Sequence, residues 1–205
     1  MNPNIYYKPF KHLKEDKVME FLINEFGNKI DIKDRYFANY AKAIAELIIE
    51  QQINFKVAIS IKKKFNHLIS EKSNSEILEI DDYKLKSIGI SRMKVKYIKN
   101  VYHYFLENKI DFSSLDDNKI IKQLSTIKGV GSWTAEMFLI FILFRENVFS
   151  KKDIALLNSI KLNYDIKNLT SEKLDKLIKS WAPYNTYASL LLWKSIEEKK
   201  FYDEN

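Results

Sequence analysis

Two of the four glycines in this 205-residue chain, Gly129 and Gly131, stand two positions apart in the run IKGVGSW, between two segments of helical apolar spacing. Before the run, Ile120, Ile121, Leu124 and Ile127 recur at helical intervals; after it, the stretch from Trp133 to Phe144 is strongly apolar. Glycine lacks a Cβ, so it adopts positive φ without strain and lets backbone amides approach another surface. The pattern predicts a helix, a tight hairpin and a second helix. Ser132 is expected to cap that second helix, whose free amides and positive dipole end suit a phosphate. An ordinary corner between two helices, closed by a glycine at the end of the first, fits the same residues. The spacing alone leaves both open.

Helical spacing recurs along the chain: Val18, Phe21, Leu22 and Phe26; Ile44, Leu47, Ile48 and Gln51; Val57, Ile61, Phe65 and Leu68; Val95, Ile98, Val101 and Phe105. Strand-like alternation is scarce, which predicts an all-α protein of about nine or ten helices. Breaks are expected at 28–35, 70–75, 89–91, 107–114, the hairpin, 145–152 and 164–171. Pro183 suits the first turn of a last helix reaching about Lys200. The charged ends, MNPNIYYK and EEKKFYDEN, are expected to fray.

Composition narrows the function classes. A net charge of +7 fits a polyanionic partner, although many proteins carry such a charge for solubility alone. The chain has no cysteine, which excludes disulfides and cysteine-ligated clusters. His12, His67 and His103 are too scattered to form a metal set. No apolar run reaches the roughly 18 residues that span a bilayer, and no signal peptide is visible. A cytoplasmic or nucleoid-associated protein is expected.

The segment IKGVGSWTAEMF, followed by Asp153 after Val148 and Phe149, resembles the hairpin and catalytic aspartate of the helix-hairpin-helix DNA glycosylase superfamily. Three further segments resemble its alkylpurine branch, the 3-methyladenine DNA glycosylase II type: IIEQQINFKVA at 48–58, LKSIGISRMKVKYIKN at 85–100 and WAPYNTYASLLLW at 181–193. All four occur in the family's order, from about Tyr40 to Trp193. The resemblance implies an all-α fold of two helical lobes, with the DNA-binding hairpin at the rim of the cleft between them. One lobe would be 28–145, ending in the hairpin motif; the other would combine 1–27 with 146–205.

Residue by residue, the resemblance implies the following. Asp153 would be the catalytic carboxylate, for which the bland alternative is a helix N-cap without chemistry. Ser150, Lys151 and Lys152 precede it where relatives often carry a proline and a second acid, so its local geometry departs from the family pattern. Trp133 stands where bifunctional branches place a Schiff-base lysine, which implies a monofunctional enzyme without lyase activity. Trp133 and Trp193 would line the base pocket, with Met137 one turn beyond Trp133; taken alone, a tryptophan at the start of an apolar helix is more often core. Gln52 would be the wedge that fills the gap left by a flipped base. Glu50 stands where relatives often have glycine. Leu47 stands where adenine-mispair glycosylases carry a glutamate, which argues against adenine excision.

DNA contacts would come from Lys128, Gly129, Gly131, Ser132 and Thr134, and from Ser91 and Arg92 beside Lys94 and Lys96; a solvated lysine face is the commoner source of such a run. The carbonyls of Ser125, Ile127 and Val130 would match a monovalent cation site, Na+ or K+, and no cofactor would be required. The expected partner is damaged double-stranded DNA, with no membrane, and the expected state is a monomer. The leading expectation is therefore removal of alkylated purines by hydrolysis after base flipping. The rivals are the same fold acting on hypoxanthine, uracil or an oxidised purine, and a non-catalytic DNA-binding module.

Overall fold

The computed structural model describes residues 6–32 and 39–203, without the Phe55 side chain. Part of the break expected at 28–35 and the first five and last two residues lie outside that range. Among the described residues there are twelve α-helices, one three-residue 3-10 turn and no strand. They are α1 (Tyr7–Leu13), α2 (Lys17–Phe26), α3 (Tyr40–Glu50), α4 (Phe55–Leu68), α5 (Asn74–Leu78), α6 (Asp82–Ser87) and α7 (Arg92–Glu107), then α8 (Asp117–Leu124), α9 (Ser132–Phe141), α10 (Ile154–Asn163), α11 (Ser171–Trp181) and α12 (Asn185–Glu198). The surplus over the expected count lies in short helices such as α5 and α6, too brief for a periodic pattern to show. None of the helices is long and apolar enough to cross a membrane.

Caps explain most helix starts. Asp16, Asn39, Asn54, Ser73, Asp81, Ser91, Asp116, Asp153 and Thr170 each accept a hydrogen bond from a first-turn amide, a contact typically worth about 1 kcal/mol. Helices α1, α9 and α12 have no side-chain cap, and in α9 the N-cap residue is Gly131, which has no side chain to supply one. Ser132, expected as the cap, is instead the first helical residue. At the other end of the chain, Pro183 lies before α12 and not in its first turn.

The chain divides into two compact units, residues 1–34 with 144–205, and residues 35–143. The sequence reading sets these limits at 27/28 and 145/146. In the structure Ile30 and Ile32 are buried, and the Ile32 amide donates to the Tyr6 hydroxyl at 3.2 Å, which ties the segment after α2 to the first unit.

In unit 35–143, α3 is the central helix and packs against α4, α7 and α9. Eight of its eleven residues are buried, so it is enclosed on nearly every side. Tyr40, Phe112 and Phe138 form an edge-to-face chain with centroids 5.1–5.2 Å apart. The other unit is organised around α12, which packs against α1, α2, α10 and α11. Its carboxyl-terminal tail does not fray where described: the Tyr202 amide donates to Asn163 Oδ1 at 2.9 Å, and its ring meets Phe21.

The hairpin between α8 and α9 uses its glycines in two ways. Gly129 has φ +107, and a Cβ built there would lie 2.2 Å from Tyr97 Cγ. Gly131 is extended, and a Cβ there would meet nothing within 4 Å. One glycine permits the turn and the close approach of α7; the other leaves an open surface. Gly129→Ala is therefore expected to lose about 3 kcal/mol or more through strain and overlap, whereas Gly131→Ala changes stability by less than about 1 kcal/mol; urea unfolding of the two variants measures the contrast.

A buried carboxylate supplies a second test. Glu46 is 4% exposed and accepts from Asn66 Nδ2 at 2.8 Å, with the Lys62 ammonium 3.9 Å away. Burial raises its pKa, outweighing the lowering by Asn66 and Lys62. A carboxyl raised in the native state costs stability once ionised; the cost is absent below the unfolded pKa and grows as pH rises through the native one. Glu46→Gln should raise the melting temperature at mildly alkaline pH and leave it unchanged near about pH 4; thermal melts at both pH values check this.

Candidate active site

Asp153 sits at the start of α10, in a turn closed by its own amide donating to the Ser150 carbonyl at 3.1 Å. Its φ and ψ of −76° and 112° are those of an N-cap, and Oδ1 accepts from the Leu156 amide at 2.9 Å. The same oxygen accepts from the indole Nε1 of Trp193 on α12, at 3.2 Å. The residue is 8% exposed. A surface cap needs only the first of these bonds. Here two donors from two helices converge on one buried oxygen and fix the carboxylate plane, as a group acting on developing positive charge requires.

The helices holding this pair are themselves joined by polar contacts. Ser159 of α10 and Ser195 of α12 are 2.8 Å apart at their hydroxyls, and Asn163 Nδ2 donates to both, at 3.1 and 3.0 Å. All three are buried. Ser195 is two residues beyond Trp193, so this network fixes α12 against α10 close to the catalytic candidate. Lys151, one of the departures before Asp153, pairs with Asp175 of α11 at 2.6 Å. Ile154, directly after Asp153, is 73% exposed.

In the other unit, the hairpin is built onto α3 and α7. Gln51 Nε2 donates to the Gly129 carbonyl at 3.1 Å and to Thr134 Oγ1 at 2.9 Å. Asn100 Nδ2 donates to the Lys128 carbonyl at 3.0 Å. Gln51 and Asn100 were not among the sequence-predicted site residues. Their signal in the sequence is faint: Gln51 reads as one more position on the apolar face of α3, and only the fold brings it to residue 129.

The remaining expected residues are distributed as follows. Lys128 and Gly131 are exposed, and Ser132 is half-buried. Thr134 is 1% exposed with its hydroxyl held by Gln51, so its side chain is a support for the hairpin and not a surface contact. Trp133 is half-buried on α9, and Met137 is 2% exposed among the core residues of that helix. Gln52 is exposed at φ +55, in the left-handed region. Ser91 and Arg92 are exposed at the start of α7, with the Ser91 hydroxyl accepting from the Lys94 amide at 3.3 Å. Lys94 departs most from expectation: its ammonium donates to the Ile49 and Gln51 carbonyls at 2.9 and 2.6 Å, and burial lowers its pKa. Glu50, an awkward charge near phosphates, turns toward α4 and pairs with Lys62. Leu47 is buried in the core. Among the described residues, no group of three or more histidine, cysteine, aspartate or glutamate side chains could hold a metal ion.

The chain is similar to known DNA repair proteins in sequence and in fold. The family of HhH-GPD superfamily base excision DNA repair proteins matches residues 45–184. A candidate DNA-3-methyladenine glycosylase of Bacillus subtilis is 33% identical over 162 residues, 73% of this chain; the chain spans 56% of that relative's length. DNA-3-methyladenine glycosylase 1 of Schizosaccharomyces pombe is 27% identical over 156 residues, covering 72% of this chain and 68% of that protein. The fold matches a solved Schizosaccharomyces pombe 3-methyladenine DNA glycosylase in complex with abasic DNA, with a TM-score of 0.84 at 24% identity, over 93% of this chain and 97% of that one. On the family match, which takes in the hairpin, the Asp153 turn and most of the helices around them, the chain belongs to the HhH-GPD superfamily of base excision DNA repair proteins.

Proposed function

We propose that this protein is a monofunctional DNA glycosylase that binds damaged double-stranded DNA, flips out an alkylated purine of the 3-methyladenine type and hydrolyses its N-glycosidic bond. The observation that carries this reading is the Asp153 carboxylate, buried and fixed at one oxygen by the Leu156 amide and the Trp193 indole. The names of the relatives, DNA-3-methyladenine glycosylases, support the same substrate class.

Loss of a base leaves oxocarbenium charge on the sugar, and an ionised carboxylate beside it lowers the barrier. At about 4 Å and an effective dielectric near 20, one charge pair is worth about 4 kcal/mol, or roughly a thousandfold in rate. An N-alkylated purine is already cationic and departs without a proton, so one carboxylate suffices where ordinary glycoside chemistry uses two. Trp133 and Trp193 suit such a base through stacking and cation–π attraction, each worth about 0.5 to 2 kcal/mol. Trp133 cannot form an imine, which supports hydrolysis without strand cleavage.

Phosphate contacts fall to the Gly131 end of α9 and its neighbours Lys128 and Ser132, and to Ser91 and Arg92 at the start of α7. The carbonyls of Ser125, Ile127 and Val130 are uncharged oxygens drawn from one six-residue stretch, a donor set that fits a monovalent cation. When bound, Na+ or K+ would add positive charge beside the phosphate. A DNA substrate puts the site of action at the nucleoid or in the surrounding cytoplasm. One chain carries both the carboxylate and the hairpin, which supports a monomer as the working unit.

The test is incubation with methylated duplex, followed by alkali cleavage of abasic sites and identification of the released bases. The native protein should release alkylated purines, and Asp153→Asn should be slower by about a thousandfold while holding abasic duplex as well as before. Equal release by the variant would remove the catalytic assignment. Salt-sensitive binding with no abasic sites from the native protein would leave only a DNA-binding module.

A further inference from the structure

In the sequence, Lys94 belongs to a run of cations placed to meet backbone phosphates. The structure gives its charge another destination. Helix α3 ends at Glu50, and the last carbonyls of a helix lack intrahelical donors while carrying the negative end of its dipole. Lys94 reaches across from α7 and donates to two carbonyls there, those of Ile49 and Gln51.

The Gln51 carbonyl belongs to the peptide that leads into Gln52. Gln52 is exposed and held at φ +55, a conformation that costs a non-glycine residue about 1 kcal/mol or more and persists only when its surroundings enforce it. The residue before it is anchored through its side chain and both of its backbone polar groups. The Gln51 side chain donates to Gly129 and Thr134, the backbone amide of Gln51 donates to the Ile48 carbonyl at 3.3 Å, and its backbone carbonyl accepts from Lys94.

We propose that Lys94 is a positioning residue for the wedge: by clamping the carbonyls at the end of α3 it holds the Gln51–Gln52 peptide in the geometry that projects Gln52 outward, and it serves base flipping without contacting phosphate. The inference rests on Gln52 being the wedge of a base-flipping enzyme.

Two measurements separate this role from a phosphate contact. On undamaged duplex, each phosphate contact contributes about 0.9 to the slope of log affinity against log salt. On a duplex with 2-aminopurine next to an abasic analogue, fluorescence reports insertion of the wedge. Lys94→Met should leave the salt slope unchanged and lose most of the fluorescence change, and Lys94→Arg, which keeps charge and donors, should restore it. Should methionine prevent folding, Lys94→Gln, with one donor and no charge, is expected to keep the slope and lose part of the signal. A slope reduced by about 0.9 with normal insertion would make Lys94 a phosphate ligand, and no change in either would make it a packing residue; both overturn the proposal. Gln52→Ala is run alongside. If that variant inserts normally, the wedge reading itself falls and takes the Lys94 role with it; if it fails while Lys94→Met succeeds, only the Lys94 role falls.

Discussion

An α-helix leaves its first amides and last carbonyls without partners inside the helix, and a protein made of short helices has many such ends to satisfy. That constraint organises this molecule. Most of its helices begin on an aspartate, asparagine, serine or threonine whose side chain takes up the first amides. The residues with functional interest are those where a helix end is satisfied unusually. Asp153 caps α10 while also receiving an indole from α12. Lys94 serves the carbonyl end of a helix other than its own. Helix α9 starts on a glycine with no side-chain cap.

The two meanings of Asp153, cap and proposed catalyst, are compatible in the surroundings that the fold gives it. A cap requires an acceptor at the right φ and ψ, and aspartate, asparagine, serine and threonine serve comparably. Catalysis requires negative charge, shelter from water and a fixed direction. The Trp193 indole and the burial of the side chain meet the last two requirements without disturbing the cap. Using one oxygen for both donors makes the local fold and the orientation of the acid a single interaction. The buried Ser159, Ser195 and Asn163 network extends that rigidity to the two helices that carry it.

Much of the fold was legible because apolar periodicity reports which face of a helix is covered. The segments around Ile44, Phe65, Ile98 and Ile120 are helices with those residues buried. The hairpin was legible because glycine is scarce in this chain and Gly129 needs its positive φ. Short elements escaped, since five or six residues hold less than two turns of pattern; α5 and α6 are of this kind. A serine beside a glycine is the better cap by preference, which points to Ser132, whereas the turn places Gly131 there. Thr134 and Lys94 both read as polar surface residues. Each is drawn inward by a partner distant in sequence, Gln51 in one case and the end of α3 in the other.

From the order of residues alone follow the helical class, the glycine turn, the absence of cysteine chemistry and the presence of an aspartate at a helix start. These depend on local sterics and on spacing along one chain segment, which a linear string records. Only the tertiary structure decided that the aspartate is buried and bonded to Trp193, forty positions away, that Gly129 packs against Tyr97, and that the Lys94 ammonium is occupied by carbonyls. Such pairings arise because helices pack at angles that bring distant side chains within about 3 Å, and no local pattern encodes which partner a side chain will meet.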